Sequence, residues 1–468
     1  MKRKLPRILL AAGASGSGKT LITCGLLQAL VNREKKVASF KCGPDYIDPM
    51  FHTRVIGTKS RNLDTFFSGE ELTRYLLGKN GADCEIAVME GVMGFYDGVA
   101  GTTTTASAYD LARVTETPVI LIVNSKGMSL SLCAYIRGFM EYKKDSNIKG
   151  VIFNQMSPML YPRMKELVEK ELGISVLGYV PKVEDCVIES RHLGLVLPEE
   201  IPQLKERLWK LSQVLEKSLD IEGILKLAEE APELSWEEPS GISWKSPKEL
   251  RIGIAKDAAF CFFYEDNLEL LRKMGATLVP FSPLTDRKLP EKLDGLLLYG
   301  GYPELNGKAL EENESIREEI RSAIGGGMPC LAECGGFMYL HEQMEGMDGK
   351  FYKMTGVIPG KTWRTPRLTR FGYITLEQNP DADGRKVPVL GERDLGSSPA
   401  HEFHYFDSDN CGESFHAKKP LSSRSWECIH GTDRMLAGYP HFYYYANPRI
   451  PKAFLKKCLE YRAGRGEE

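Results

Sequence analysis

Gly13-Ala14-Ser15-Gly16-Ser17-Gly18-Lys19-Thr20 fits the pattern GxxxxGK[ST] at every position. An apolar run precedes it and a helix-period stretch follows. Glycines in this pattern let successive backbone N–H groups turn inward around phosphate oxygens, and the helix N-terminus adds a favourable dipole. Lys19 can then reach the β- and γ-phosphates, and the Thr20 hydroxyl can ligate Mg2+. The loop predicts ATP binding by Gly13, Ser15, Gly16, Ser17, Gly18, Lys19 and Thr20. Asn154, past a later apolar run, is a positional candidate for recognising the base.

Two acidic turns close other apolar runs: Lys41-Cys42-Gly43-Pro44-Asp45-Tyr46-Ile47-Asp48-Pro49, and Glu90-Gly91-Val92-Met93-Gly94-Phe95-Tyr96-Asp97-Gly98. Ligands of open parallel sheets bind beyond the carboxyl ends of the strands, so both turns should face the phosphate loop. Glu90 is placed to complete a Mg2+ shell with Thr20, or to position its water, and Asp45 is a further metal candidate. Asp48 and Asp97 are candidates for holding a polar substrate. Any one of these acids alone could be a turn cap. Gathered at one sheet edge beside the loop, they are expected to work on metal or substrate.

A second chemistry starts at Cys334. Met328-Pro329-Cys330-Leu331-Ala332-Glu333-Cys334-Gly335-Gly336-Phe337 reads as a buried strand turning into a helix, with small residues where bulk would clash. That is the elbow that exposes a nucleophile above a sheet. The following helix N-terminus is expected to lower the thiol pKa and to supply oxyanion donors at Gly335. Tyr299-Gly300-Gly301-Tyr302-Pro303-Glu304 offers a second donor at Gly301. A cysteine nucleophile needs a base, and of the eight histidines His441, in Ala437-Gly438-Tyr439-Pro440-His441, is the candidate. His401-Glu402-Phe403-His404 is the competitor for that role, and its dense polar pattern reads more like a substrate grip. The remaining cysteines of the 11 are scattered without a CxxC pair, as expected of small buried hydrophobes rather than a disulfide framework or zinc site.

Positioning these residues requires strands. Near-continuous apolar runs at Arg7–Ala12, Val37–Lys41, Ile86–Glu90, Val119–Asn124, Val151–Asn154 and Val176–Val180 alternate with helix-period segments, which predicts a parallel sheet covered on both faces. The stretch 235–249, SWEEPSGISWKSPKE, lacks a period and reads as a linker between domains 1–234 and 250–468. Alternation restarts at Arg251–Ala255, Leu278–Phe281, Gly295–Tyr299 and Cys330–Ala332, so the second domain is also α/β, and less regular from Phe371 onward. A net charge of -2 and the absence of a long apolar run argue against nucleic-acid or membrane partners and favour a cytoplasmic enzyme. A monomer or homodimer is expected, and composition does not fix which.

Taken in order, GASGSGKT, FKCGPDYIDPMFH, SRNLDTFF, EGVMGFYDG, Glu189-Ser190-Arg191-His192-Leu193-Gly194-Leu195, GGYPEL, the CGG elbow and AHEFHYF resemble the cobyrinate a,c-diamide synthase family of the class I glutamine amidotransferase superfamily. The GPDYIDP and EGVMG strings separate this group from dethiobiotin synthetases and MinD-like ATPases, which are similar only to the first domain. The resemblance implies a dethiobiotin-synthetase-like P-loop domain and a C-terminal amidotransferase domain. It implies hydrolysis of L-glutamine at Cys334 with His441 as base. It further implies ATP- and Mg2+-dependent activation of the a- and c-acetate carboxylates of a corrinoid, cobyrinate, through acyl phosphates. Typical class I glutaminases carry a Glu two residues after the histidine; here that position is Tyr443, so a dyad is expected, with no acid identified to orient His441. The same chemistry on nickel-sirohydrochlorin, in the coenzyme F430 pathway, is the nearest rival. A P-loop switch ATPase with a binding-only second domain is more distant, and cobyric acid synthase carries a different second-strand motif.

Overall fold

The computed structural model describes residues 1–183, 190–191, 194–195, 203–380 and 386–466. Of the 189–195 motif, Glu189, His192 and Leu193 lie outside the described residues. The chain divides into two compact units, Met1–Pro239 and Ser240–Glu468.

The first unit is built on seven strands: β1 Arg7–Ala12, β2 Val37–Cys42, β3 Lys59–Leu63, β4 Ile86–Glu90, β5 Val119–Asn124, β6 Ile148–Asn154 and β7 Ser175–Val180. They run in the order β3-β2-β4-β1-β5-β6-β7, all parallel. Every residue of β1, β2 and β4 is buried, as strands covered on both faces must be. Helix α1, Lys19–Asn32, follows the phosphate loop. It lies against the helix Leu204–Ser218, where a Cβ on Gly25 would come 2.5 Å from Leu215 Cδ1. Glycine there lets the two helices approach. Arg7 is fully buried, and among the described residues no carboxylate bonds to it. Its guanidinium donates to the carbonyls of Leu5, Thr115 and Pro232 at 3.0, 3.0 and 2.8 Å, and burial lowers its pKa to about 10.

The stretch read as a linker begins inside this unit. Ser235 pairs with Lys2, and the buried Trp236 packs where a Cβ on Gly78 would otherwise stand.

In the second unit the central sheet holds β8 Leu250–Ala255, β9 Ala276–Phe281, β10 Gly295–Leu298, β11 Cys330–Glu333, β14 His430–Gly431 and β15 Met435–Gly438. Its order is β9-β8-β10-β11-β15-β14, parallel except for the last pair. The sequence did not reveal the five-stranded antiparallel sheet that contains β12 Arg370–Gln378, β13 Ser398–His404 and β16 His441–Phe442. The chain leaves the central sheet at Gly438 and enters the antiparallel one at His441, opposite His401. That crossing puts His441 at the seam between the two sheets.

Candidate active sites

In the first unit β1, β2 and β4 end side by side, with Lys41 in register with Glu90. Gly18 has φ 92°, and a Cβ there would lie 2.3 Å from Asn154 Nδ2. Asn154 donates to the Ser17 carbonyl at 2.9 Å and accepts from the Gln155 N–H at 3.0 Å. Its side chain is therefore committed to the backbone under the loop, not held out toward a base as expected. Lys19 donates to the carbonyls of Ala14 and Met93 at 3.1 and 2.5 Å. Burial, reinforced by the charge of Lys41, lowers its pKa to about 8.

The Thr20 hydroxyl donates to Glu90 Oε1 at 2.5 Å, and Lys41 Nζ donates to the same oxygen at 2.8 Å while also pairing with Asp48. His52 Nε2 stands 3.4 Å from the other Glu90 oxygen. Lys41, Asp48, His52 and Glu90 are all buried. Burial opposes charge on Lys41, Asp48 and Glu90, and attraction outweighs it at Lys41 and Glu90 but not at Asp48. Burial would lift Glu90, yet Lys41 and His52 hold it below the usual carboxylate range. Burial would lower Lys41, yet Asp48 and Glu90 hold it above the usual lysine range. Asp48 is pushed up by burial and then by the charge of Asp45, against the pull of Lys41.

Among the described residues no group of three or more His, Cys, Asp or Glu is spaced to hold a metal alone. Mg2+ bound with phosphates keeps most of its shell from phosphate and water, so one or two protein oxygens suffice. The adjoining Thr20 and Glu90 oxygens fit that demand. Asp45 is not brought to them in the same way: its carboxylate accepts from the Ile47 and Asp48 N–H groups at 2.8 and 3.1 Å, capping the turn Ile47–Met50. Asp97 accepts from the Gly94 N–H at 3.0 Å. A Cβ on Gly94 would come 2.7 Å from the Gly13 carbonyl, so Asp97 borders the phosphate loop.

In the second unit Cys334 sits between β11 and the helix Gly335–Leu340, with φ 47° and ψ -107°. A non-glycine residue held at such angles carries about 1–3 kcal/mol of strain, sustained only when the surroundings fix it. They do so here. The Cys334 N–H donates to the Gly438 carbonyl at 2.8 Å, and a Cβ on Gly336 would strike the Leu298 carbonyl. A Cβ on Gly335 would come 3.2 Å from the Gly301 nitrogen, so the two expected oxyanion loops meet at the elbow. A Cβ on Gly300 would lie 2.8 Å from His441 Cε1 and 3.5 Å from Cys334 Cβ. The expected nucleophile and base thus flank one glycine.

The thiol differs from expectation. Burial, and then the charge of Glu304, push the Cys334 pKa up, and the backbone N–H of Gly335 only partly offsets them. Cys334 is a thiol that must hand its proton to a base.

His401 and His404, expected to grip a bulky substrate, are each 3% exposed. The His401 ring stacks on His441 with centroids 5.0 Å apart, and Tyr264 lies 3.3 Å from its Nδ1. The His404 ring stacks on Tyr439 at 3.9 Å and contacts Glu402 at 3.0 Å. Both belong to the interior around the cysteine centre rather than to an open face. Lys41, His52 and Glu333 were given no role from the sequence. Each is a charged or titratable residue that lies buried, Glu333 at the end of an otherwise apolar strand, and that pattern was the available signal.

A phosphate loop in one unit and a cysteine elbow facing a histidine in the other define a nucleotide-dependent glutamine amidotransferase. Family models agree unit by unit: residues 8–195 match the CobQ/CobB/MinD/ParA nucleotide binding domain, and residues 251–448 match the CobB/CobQ-like glutamine amidotransferase domain. A cobyrinate a,c-diamide synthase from Caldanaerobacter subterraneus subsp. tengcongensis is 38% identical over 97% of this chain and 99% of its own. Those of Listeria innocua and Picrophilus torridus are 38% and 36% identical, over 95% and 97% of this chain and 97% and 99% of theirs. The chain belongs to the cobyrinate a,c-diamide synthase family.

Proposed function

We infer that this enzyme is a ligase that spends ATP and L-glutamine to amidate the a- and c-acetate carboxylates of cobyrinate, a step of cobalamin biosynthesis. The observation that carries the reading is the pairing, in one chain of this family, of Lys19, Thr20 and Glu90 at a phosphate loop with Cys334 and His441 at an elbow.

In the second unit His441 takes the Cys334 proton as sulfur attacks the glutamine amide carbon. The carbonyl oxygen gathers negative charge against the N–H groups of Gly301 and Gly335. The C–N bond breaks, the leaving nitrogen takes the proton from His441, and ammonia departs. Water then cleaves the thioester to glutamate and restores the thiol. In the first unit a substrate carboxylate attacks the γ-phosphorus of ATP and ADP leaves. Ammonia attacks the resulting acyl phosphate at carbon, and phosphate leaves as the amide forms. A carboxylate is a poor electrophile, and phosphorylation gives it a leaving group. Lys19 meets phosphate charge. Thr20 and Glu90 would hold Mg2+, which when bound neutralises phosphate oxygens. Lys41 keeps Glu90 ionised for that task. Asp48 and Asp97 border the place where a polar substrate would lie, and Asp45 holds the turn that carries Asp48. His401 and His404 serve the glutaminase centre.

The test offers cobyrinic acid and, separately, nickel-sirohydrochlorin, each with ATP and glutamine. Two amidation mass shifts on cobyrinic acid are expected. Cys334→Ala should abolish glutamate release and keep synthesis from added ammonia. Amidation of the sirohydrochlorin alone would reassign the substrate, and glutaminase surviving Cys334→Ala would reassign the nucleophile.

A further inference from the structure

We propose that Glu333, the residue immediately before the nucleophile, is the positioning carboxylate of His441 and makes the centre a Cys334–His441–Glu333 triad. The inference rests on the reading of Cys334 and His441 as nucleophile and base.

Three observations carry it. Glu333 ends the otherwise apolar strand Cys330-Leu331-Ala332 and is 3% exposed, a setting that tolerates a carboxylate only with partners. Its partner is specific: Oε2 stands 3.4 Å from His441 Nδ1. Burial raises the Glu333 pKa, and His441 first, then the backbone at Phe442, favour its charged form against that. The usual position of the orienting acid, two residues after the histidine, is Tyr443, whose hydroxyl donates to Asp266 at 3.1 Å and thereby occupies that oxygen.

The backbone explains how neighbours in sequence can serve one ring. Successive strand residues point to opposite faces. The left-handed φ of 47° at Cys334 breaks that alternation, so Glu333 and Cys334 both turn toward His441. With the Glu333 carboxylate at ion-pair distance from Nδ1, the proton is favoured on that nitrogen and Nε2 is left to receive the thiol proton. The carboxylate does not take that proton. It stabilises the imidazolium that forms when sulfur gives its proton up.

Among the described residues the other titratable groups around the centre include His401, which stacks on the His441 ring, Glu304 and Glu402, which act on the Cys334 thiol, Tyr439 beside that thiol, and the hydroxyls of Tyr299 and Tyr444, 3.0 Å apart, near Glu333. Of these carboxylates, only Glu333 is within ion-pair reach of Nδ1.

The experiment compares Glu333→Gln and Glu333→Asp with wild type, following glutamine hydrolysis across pH and ammonia-dependent synthesis at one pH. For Glu333→Gln, kcat of hydrolysis should fall roughly 10- to 100-fold with KM within about twofold, as expected when one orienting group of a proton relay is lost. The acidic limb of its profile, set by the pH at which His441 becomes the neutral base, should move to lower pH, because the imidazolium loses its counter-charge. Glu333→Asp, which keeps the charge, should return that limb toward its wild-type position while kcat stays reduced. Ammonia-dependent synthesis should be unchanged in both. An unmoved limb in Glu333→Gln overturns the inference, whatever happens to kcat, because a packing role would not read charge. Should Glu333→Gln fail to fold, Glu333→Asp decides alone: full kcat overturns, reduced kcat with the limb in place supports. In parallel, 6-diazo-5-oxo-L-norleucine is used to label wild type. A label off Cys334 sinks the nucleophile reading, whereas a label on Cys334 with an unmoved limb sinks only the role of Glu333.

Discussion

Replacing Gly300 with alanine should separate the two activities of the chain without touching either proposed catalytic side chain. The added Cβ would lie 2.8 Å from His441 Cε1, whereas carbon atoms settle at roughly 3.5–4.0 Å. The ring must therefore retreat by about 1 Å, since the backbone at Gly300 is pinned by N–H groups of Cys261 and Phe262 donating to its carbonyl at 3.0 and 2.9 Å. Cys334 Cβ, at 3.5 Å, is only just in contact and stays. A shift of about 1 Å between base and nucleophile costs on the order of 100-fold in rate. Glutamate release should fall by that factor while synthesis from ammonium chloride stays near wild type, both followed in the same preparation. A glutaminase rate within twofold of wild type would refute the geometry assigned to His441. Parallel loss of both activities would indicate a folding defect and refute the claim that the change is local.

Three further outcomes are expected. Lys19 in the nucleotide-free protein gives up its proton near pH 8, well below an ordinary lysine, so ATP affinity measured by calorimetry should be flat below that pH and weaken above it, where binding must first draw a proton onto Lys19. An affinity flat to pH 10 would contradict this. His401→Ala removes the ring stacked on His441 and should slow glutamine hydrolysis by about tenfold, less than the loss from a full 1 Å displacement, with no change in the corrinoid concentration needed for half-maximal synthesis. A raised corrinoid requirement would restore the substrate-grip reading. Asp48→Asn should impair synthesis more than ATP binding, because it removes half of the pair with Lys41 yet leaves the phosphate loop intact; an unchanged synthesis rate would return Asp48 to a turn role.

The parallel strands were legible because burial on both faces writes them as apolar runs, of which Val119-Ile120-Leu121-Ile122-Val123 is the plainest. Edge strand β3 was not, since Lys59-Ser60-Arg61-Asn62-Leu63 carries no apolar period: its intermediate Lys59 and Arg61 alternate with the buried Ser60 and Asn62. The antiparallel sheet after Phe371 was only half legible. Its longest strand, Arg370–Gln378, is buried at only some positions, and its pairing of His401 with His441 is a long-range event that no local pattern announces. That is why His401 read as a substrate ligand. Motifs located the phosphate loop and the elbow because local backbone geometry demands glycine there, at Gly18 and Gly336 above all. They were silent about Glu333 and Lys41, whose tasks depend on which residue stands across a sheet. They also could not show how deeply Cys334 is buried, which left its thiol expected too acidic.

The whole account comes down to whether phosphoryl energy and glutamine nitrogen are delivered to the same carboxyl group. Cobyrinic acid carrying 18O in its carboxylates, supplied with ATP and [amide-15N]glutamine, tests this in one mass-spectrometric analysis of products. Each amide formed should contain 15N and should have passed one 18O to inorganic phosphate, with glutamate released. Amides formed without 18O in phosphate, or ATP hydrolysed with no 15N in the tetrapyrrole, would contradict it.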